Sequence, residues 1–146
     1  MEEKRHTKRR QSRENAFLAE FELSFQQTDL TELQETLQES ENYQLDAFAL
    51  QLLSLYEEHA AEVEARISEN LKGWSSERLT KTSVSLLRLA IAEMLYGEPG
   101  TDSIIINEAV ELSKKYAGDK EYQFVNGILG TISREKSAAQ SAADQA

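Results

Sequence analysis

The chain has 146 residues, 40% of them hydrophobic and 29% charged, with a single proline, which suits one soluble, helix-rich domain or two tightly packed halves. It has no cysteine, which excludes a disulfide framework, a thiolate metal site and a cysteine nucleophile. The net charge of −10 is unevenly laid: residues 1–13 hold six Lys/Arg against two Glu, residues 14–65 hold thirteen Asp/Glu and no Lys or Arg, and residues 66–136 balance. A basic arm on an acidic body reads in two ways. It is either a solvated tail on an acidic protein, or a contact for a polyanion beside a basic partner for the body. No apolar run approaches the ~20 residues of a membrane span, and no secretory signal opens the chain. The expected compartment is the cytoplasm.

In chain order, the pattern predicts helix throughout. Phe17, Leu18, Phe21 and Phe25 give residues 10–26 a helical stripe. Asp29 is a candidate N-cap for a short stripe of Leu30, Leu33 and Leu37. From Asn42 to Leu71 one apolar face runs through Leu45, Phe48, Leu52, Tyr56, Val63 and Ile67, as one long helix or two with a bend. Gly73 is a candidate C-cap, and residues 75–79 fit a short turn of helix. Thr80 is a candidate N-cap for residues 81–96, which are apolar nearly all round and therefore expected at the centre. Gly97-Glu98-Pro99-Gly100 breaks the chain. Another helix follows Ser103 and runs to Gly118. Asp119 can cap a last one carrying Phe124, Val125, Ile128, Leu129 and Ile132. Residues 137–146, small and polar, read as a disordered tail. Ile104-Ile105-Ile106 is the one β-branched run, and helical spacing resumes behind it.

Little here can do chemistry. Neither histidine, His6 or His59, has the second histidine that a bundle metal centre needs. No nucleophile elbow, phosphate loop or dinucleotide glycine pattern is present. The carboxylate pairs Glu57/Glu58 and Glu62/Glu64 fall on helical surface rather than in a cleft. The expectation is a protein that is not an enzyme and takes no cofactor or metal.

Three stretches carry more. The first is Arg9-Arg10-Gln11-Ser12-Arg13-Glu14 entering Ala16-Phe17-Leu18 and Phe21. The second is Leu87-Arg88-Leu89-Ala90-Ile91-Ala92-Glu93-Met94-Leu95-Tyr96, with Trp74 before it. The third is Ile106-Asn107-Glu108-Ala109-Val110-Glu111-Leu112-Ser113-Lys114-Lys115-Tyr116, then Phe124-Val125-Asn126-Gly127-Ile128-Leu129. As an ordered set over roughly residues 8–134, they resemble the NusB family of bacterial transcription antitermination factors.

The resemblance implies an all-α fold of six to eight helices. It implies a compact bundle of two small subdomains, about 9–72 and 73–136, behind a flexible basic arm at 1–8. It implies binding to the single-stranded boxA element of nascent ribosomal RNA together with the ribosomal protein NusE. The pair would bring RNA polymerase into a termination-resistant complex. Self-association as a homodimer belongs to the same expectation.

Residue by residue, the resemblance implies RNA contacts at Lys8, Arg9, Arg10 and Arg13. Guanidinium groups grip phosphate with forked hydrogen bonds and stack on bases. It implies further contacts at Lys120, Gln123 and Phe124, where an aromatic at a helix start can stack on a splayed base. The family commonly has a basic residue where Gln123 stands. The surface for NusE would map to Phe21, Glu77 and Ser83, with Ser83 replacing the family's usual acid. Arg88, Glu93, Asn107, Glu108 and Asn126 are polar residues set in apolar helices. They read as a hydrogen-bonded network locking the helices together, with Gly127 permitting close helix approach. The competing reading is a helical protein-binding module with no RNA role of its own, as at the N-terminus of some RNA methyltransferases. The absence of a following catalytic domain speaks for the stand-alone factor.

Overall fold

The computed structural model describes residues 2–25, 30–38, 43–71, 79–118 and 120–145. They form α1 (Glu2–Phe25), α2 (Leu30–Gln38), α3 (Ala47–Glu58), α4 (Ala60–Asn70), α5 (Lys81–Tyr96), α6 (Asp102–Tyr116) and α7 (Tyr122–Gln145). Among the described residues there is no strand, and no helix is long and apolar enough to cross a membrane. The candidate caps at Asp29, Gly73 and Asp119, the turn at 75–78 and Trp74 lie outside the described residues.

The helix apolar on most faces is the central one. α5 packs against α1, α3, α4, α6 and α7, and Leu87, Ile91 and Ala92 are fully buried. Its two sides serve two cores. Leu87, Ile91 and Met94 join Val63 and Ile67 of α4, Ile105 of α6 and Val125, Leu129 and Ile132 of α7. Leu86 and Leu89 join Phe17 of α1, Leu33 and Leu37 of α2 and Leu52 and Leu53 of α3. A division of the chain near residue 72 therefore does not follow the cores, because α4 buries its stripe with the C-terminal helices.

Local chemistry sets the helix ends. Thr80 caps α5 by accepting the Ser83 N–H at 3.2 Å. Asp46 caps α3 by accepting the Ala49 N–H at 2.9 Å, and its other oxygen accepts the Ser12 hydroxyl of α1. One cap thus also fastens α1 to α3. The long apolar face breaks at His59 into α3 and α4. There the imidazole stacks on Tyr96, with ring centroids 3.5 Å apart. α5 stops at Gly97, where a Cβ would stand 2.6 Å from the Glu93 carbonyl oxygen.

Two segments differ from the sequence reading. The arm is helical from Glu2 and the last helix continues to Gln145. Extending a helix that is already anchored needs no new nucleus. Lys, Arg, Glu, Gln and Ala, which fill both segments, are good helix formers, and Glu2 and Glu3 suit the positive end of the α1 dipole.

Leu87 and Ile91 are each 0% exposed. Leu87→Ala or Ile91→Ala is expected to cost on the order of 2–5 kcal/mol, through lost burial and the cavity left behind. Urea denaturation checks this, and a loss below about 1 kcal/mol would contradict the central place of α5.

Candidate nucleic-acid interface

The arginines of α1 have three different fates. Arg13 turns inward and meets Glu93 of α5 through two parallel hydrogen bonds, Nε to Oε1 at 2.9 Å and Nη2 to Oε2 at 2.7 Å. Both side chains are less than a tenth exposed. Arg13 is thus a structural residue, which corrects its expected role at RNA: its fork is filled by a carboxylate and closed off from solvent. One turn earlier, Arg9 lies over the Phe48 ring, 4.8 Å from its centroid, and pairs with Glu98 at 3.1 Å. Arg10 donates from Nε to both carboxylate oxygens of Glu108, at 3.4 and 3.3 Å, and keeps about half of its side chain in solvent. Lys8 is exposed.

The C-terminal turn of α6 continues this face. Lys115 and the Tyr116 hydroxyl both donate to Oε1 of Glu14 on α1, at 2.6 and 2.5 Å. The Tyr116 ring sits 5.2 Å from that of Phe17. Lys114 lies over the ring of Tyr122, the first residue of α7. Burial pushes the Glu14 carboxyl up, but the hydrogen bonds from Lys115 and Tyr116 outweigh it and hold the group below its usual 4.5. Phe124 points elsewhere. It packs half-buried on the C-terminal core and lines a shallow groove with Asn70, Gly127, Ile128 and Thr131. Lys120 and Gln123 are exposed beside it. α1 and α7 do not touch, so the two expected halves of the RNA face are joined only across the end of α6. Sequence reasoning missed Lys114, Lys115, Tyr116 and Tyr122 as interface residues. The basic–aromatic run at 114–116 was the available signal.

The polar network is real but differently composed. Arg88 donates to Glu64 from Nε at 2.6 Å and to Glu20 from Nη1 at 3.2 Å. The Tyr56 hydroxyl donates to the same Glu64 oxygen at 2.7 Å. Burial raises the Glu20 carboxyl against the opposing pull of Arg88. Glu93 and Glu108 face α1 as described. Asn107 and Asn126 instead stand exposed on outer faces, so the network runs through charged pairs without them. At Gly127 a Cβ would meet nothing within 4 Å, so no close helix approach depends on it. Among the described residues no cluster of His, Asp and Glu could hold a metal ion.

Residues 10–134 match the pattern of the NusB family. The chain belongs to the NusB family. Among curated relatives, the transcription antitermination protein NusB of Oceanobacillus iheyensis is 35% identical over 124 residues, covering 85% of this chain and 97% of that one. The NusB of Listeria innocua is 34% identical over 88% of this chain and 98% of its own. Among solved structures, antitermination factors NusB and NusE in complex with dsRNA match with a TM-score of 0.75 at 28% identity, over 87% of this chain and 96% of that one. NusB from Aquifex aeolicus in solution matches with a TM-score of 0.74 at 29% identity, over 90% of each chain.

On this NusB fold, the residues expected to meet a protein partner fare unequally. Phe21 is half-buried, its ring 6.1 Å from Phe17. Ser83 is 0% exposed and occupies the third position of the Thr80 cap, so it offers a partner no side-chain surface. That corrects its expected role: a small hydroxyl folds under the cap where a longer acid would reach out. Glu77 lies outside the described residues.

Two outcomes test this geometry. Arg13→Met alone strands a buried carboxylate and is expected to cost about 3–5 kcal/mol, while adding Glu93→Leu recovers most of the loss. Denaturant melts measure both, and a double variant as unstable as the two singles combined would contradict a mutually dependent pair. Glu14, held below its ordinary value, contributes stability that is in place above pH 4.5 and lost as pH falls through its folded value. The stability gap between the parent and Glu14→Gln should therefore shrink on acidification. A gap unchanged from neutral to about pH 3 would contradict the Lys115–Glu14–Tyr116 contact.

Proposed function

We propose that this chain is an RNA-binding transcription antitermination factor. With NusE it binds the boxA element of nascent ribosomal RNA, and the pair promotes a termination-resistant RNA polymerase complex. Acting on nascent transcripts is cytoplasmic work. The observation that carries the reading is the near-full-length match to transcription antitermination proteins and to a fold solved with NusE and RNA.

The physical chemistry supports it. Lys8, Arg9 and Arg10 rise from one end of α1, and Lys120 stands at the approach to α7. Phe124, next to Gln123, offers a ring edge at a groove where an unpaired base can stack. Lys114 and Lys115 lie between the two. The body opposes a polyanion, with −10 overall. RNA binding by the chain alone is therefore weak, and a basic partner strengthens it by neutralising the acidic surface and adding phosphate contacts of its own. Phe21 and the acidic helices offer that partner aromatic area and opposite charge. Self-association across the same surfaces would compete with RNA and NusE.

The test is binding of a short boxA RNA against salt concentration, with and without NusE. With three or four phosphate contacts, the log–log slope for the chain alone is expected at about −2 to −3, from roughly −0.7 per contact on a single strand. Arg9→Ala with Arg10→Ala reduces the slope by about one to one and a half. Phe124→Ala weakens binding with the slope nearly unchanged, because stacking releases no counterions. Equal affinity with and without NusE would overturn the cooperative reading, and an undiminished Arg9/Arg10 variant would overturn the RNA face. A chain that binds NusE but adds nothing to RNA binding would be a protein-binding module instead.

A further inference from the structure

Two carboxylates face the arginine helix from α6 and the turn before it, and they differ in burial. The Glu108 side chain is 3% exposed, whereas that of Glu98 is 61% exposed on the turn between α5 and α6. They also grip different edges of their arginines. Glu108 takes the Nε–H of Arg10 on both of its oxygens. The terminal Nη groups of Arg10 are not used by that contact, and 53% of its side chain stays in solvent. Glu98 takes a terminal nitrogen of Arg9, Nη1, at 3.1 Å. The Nη edge is the one an incoming phosphate would use.

The two contacts also differ in how readily they let go. If Arg10 swung away, a buried carboxylate would lose a countercharge, which is strongly disfavoured. Arg10 therefore stays mounted and meets phosphate with its free edge, with little side-chain freedom left to lose. The Arg9–Glu98 pair is solvent-screened and weakly held. Phe48 beneath Arg9, 4.8 Å away, keeps the guanidinium in place whichever anion it faces.

We propose that these two carboxylates act on RNA binding in opposite directions. Glu108 is a positioning residue that presents Arg10 to a phosphate, and Glu98 is an internal competitor that occupies the phosphate-binding edge of Arg9. The proposal rests on the RNA-binding reading above. It adds a built-in restraint on affinity, since an RNA phosphate must displace Glu98 before Arg9 can contribute.

The experiment measures the affinity of the full chain for a short labelled single-stranded boxA RNA with NusE present, in single variants and in pairs. Glu98→Gln is expected to tighten binding about two- to fivefold, the range of a released surface pair. Glu108→Gln is expected to weaken it about two- to tenfold, through lost positioning of one long side chain. In an Arg9→Ala background the gain from Glu98→Gln disappears, and in an Arg10→Ala background the loss from Glu108→Gln disappears. Arg10→Lys keeps the charge but has no Nε–H to mount. It should lose nearly as much affinity as Arg10→Ala, and it tests the mount even if Glu108→Gln fails to fold. If both glutamine variants tighten binding alike, or their effects persist without the arginines, plain charge removal or a structural role accounts for them and the proposal falls while RNA binding stands. If Arg10→Lys binds as well as the parent, the positioning role falls. If the parent binds no RNA even with NusE, the reading beneath falls and takes this one with it.

Discussion

Arg13 and Glu93 meet in the interior with two parallel hydrogen bonds, and much of the molecule is arranged around keeping them together. Removing either charge from water is costly, and the mutual attraction repays that cost only in good geometry. The fork of a guanidinium on a carboxylate supplies such geometry. Because Glu93 sits on the central helix, the pair fixes the rotation and register of α1 against α5. The Ser12–Asp46 contact one residue earlier fixes α1 against the start of α3. With the helix pinned there, Arg9 one turn back and Arg10 beside it have set directions, over Phe48 and toward Glu108.

The same pinning explains how an acidic protein keeps a basic edge. The cations of α1 are spread along one face and each is met by an acid of α5, α6 or the turn between them. Those contacts hold the basic groups at the surface without cancelling them, because the arginines at positions 9 and 10 stay partly exposed. At the far end of α6 the sense is reversed. There an acid of α1, Glu14, is met by Lys115 and Tyr116, while Lys114 covers Tyr122. α6 thus carries the basic face from α1 toward the start of α7, two helices that do not touch each other.

Much of this was legible in the sequence, and the parts that were not share a cause. The all-round apolar pattern of residues 81–96 named the central helix, since only a helix covered from several sides can carry it. The Thr80 cap and the break after Tyr96 followed from local chemistry alone. Arg13 was misread because spacing along a helix does not say which member of a basic row turns inward; that depends on a carboxylate eighty residues away on α5. Ser83 was misread for the same reason, since its burial is set by tertiary packing rather than by its place in the chain. Asn107 and Asn126 sit within apolar motifs, yet their exposure is decided by which face the neighbouring helices cover. The two helical extensions, at 2–8 and 137–145, were hidden because aperiodic polar sequence carries no amphipathic signal, while its residues still favour helix once a neighbour supplies the first turns.

The central claim is a division of labour on one helix: Arg13 holds the fold, while Arg9 and Arg10 face the ligand. Side-chain NMR of the arginine Nε–H groups, followed as single-stranded boxA RNA is added in the presence of NusE, reads that division directly. The resonances of Arg9 and Arg10 are expected to move with RNA, while that of Arg13 stays fixed and slow to exchange with solvent. An Arg13 resonance that moves as far as that of Arg9, or exchanges as fast, would contradict the account.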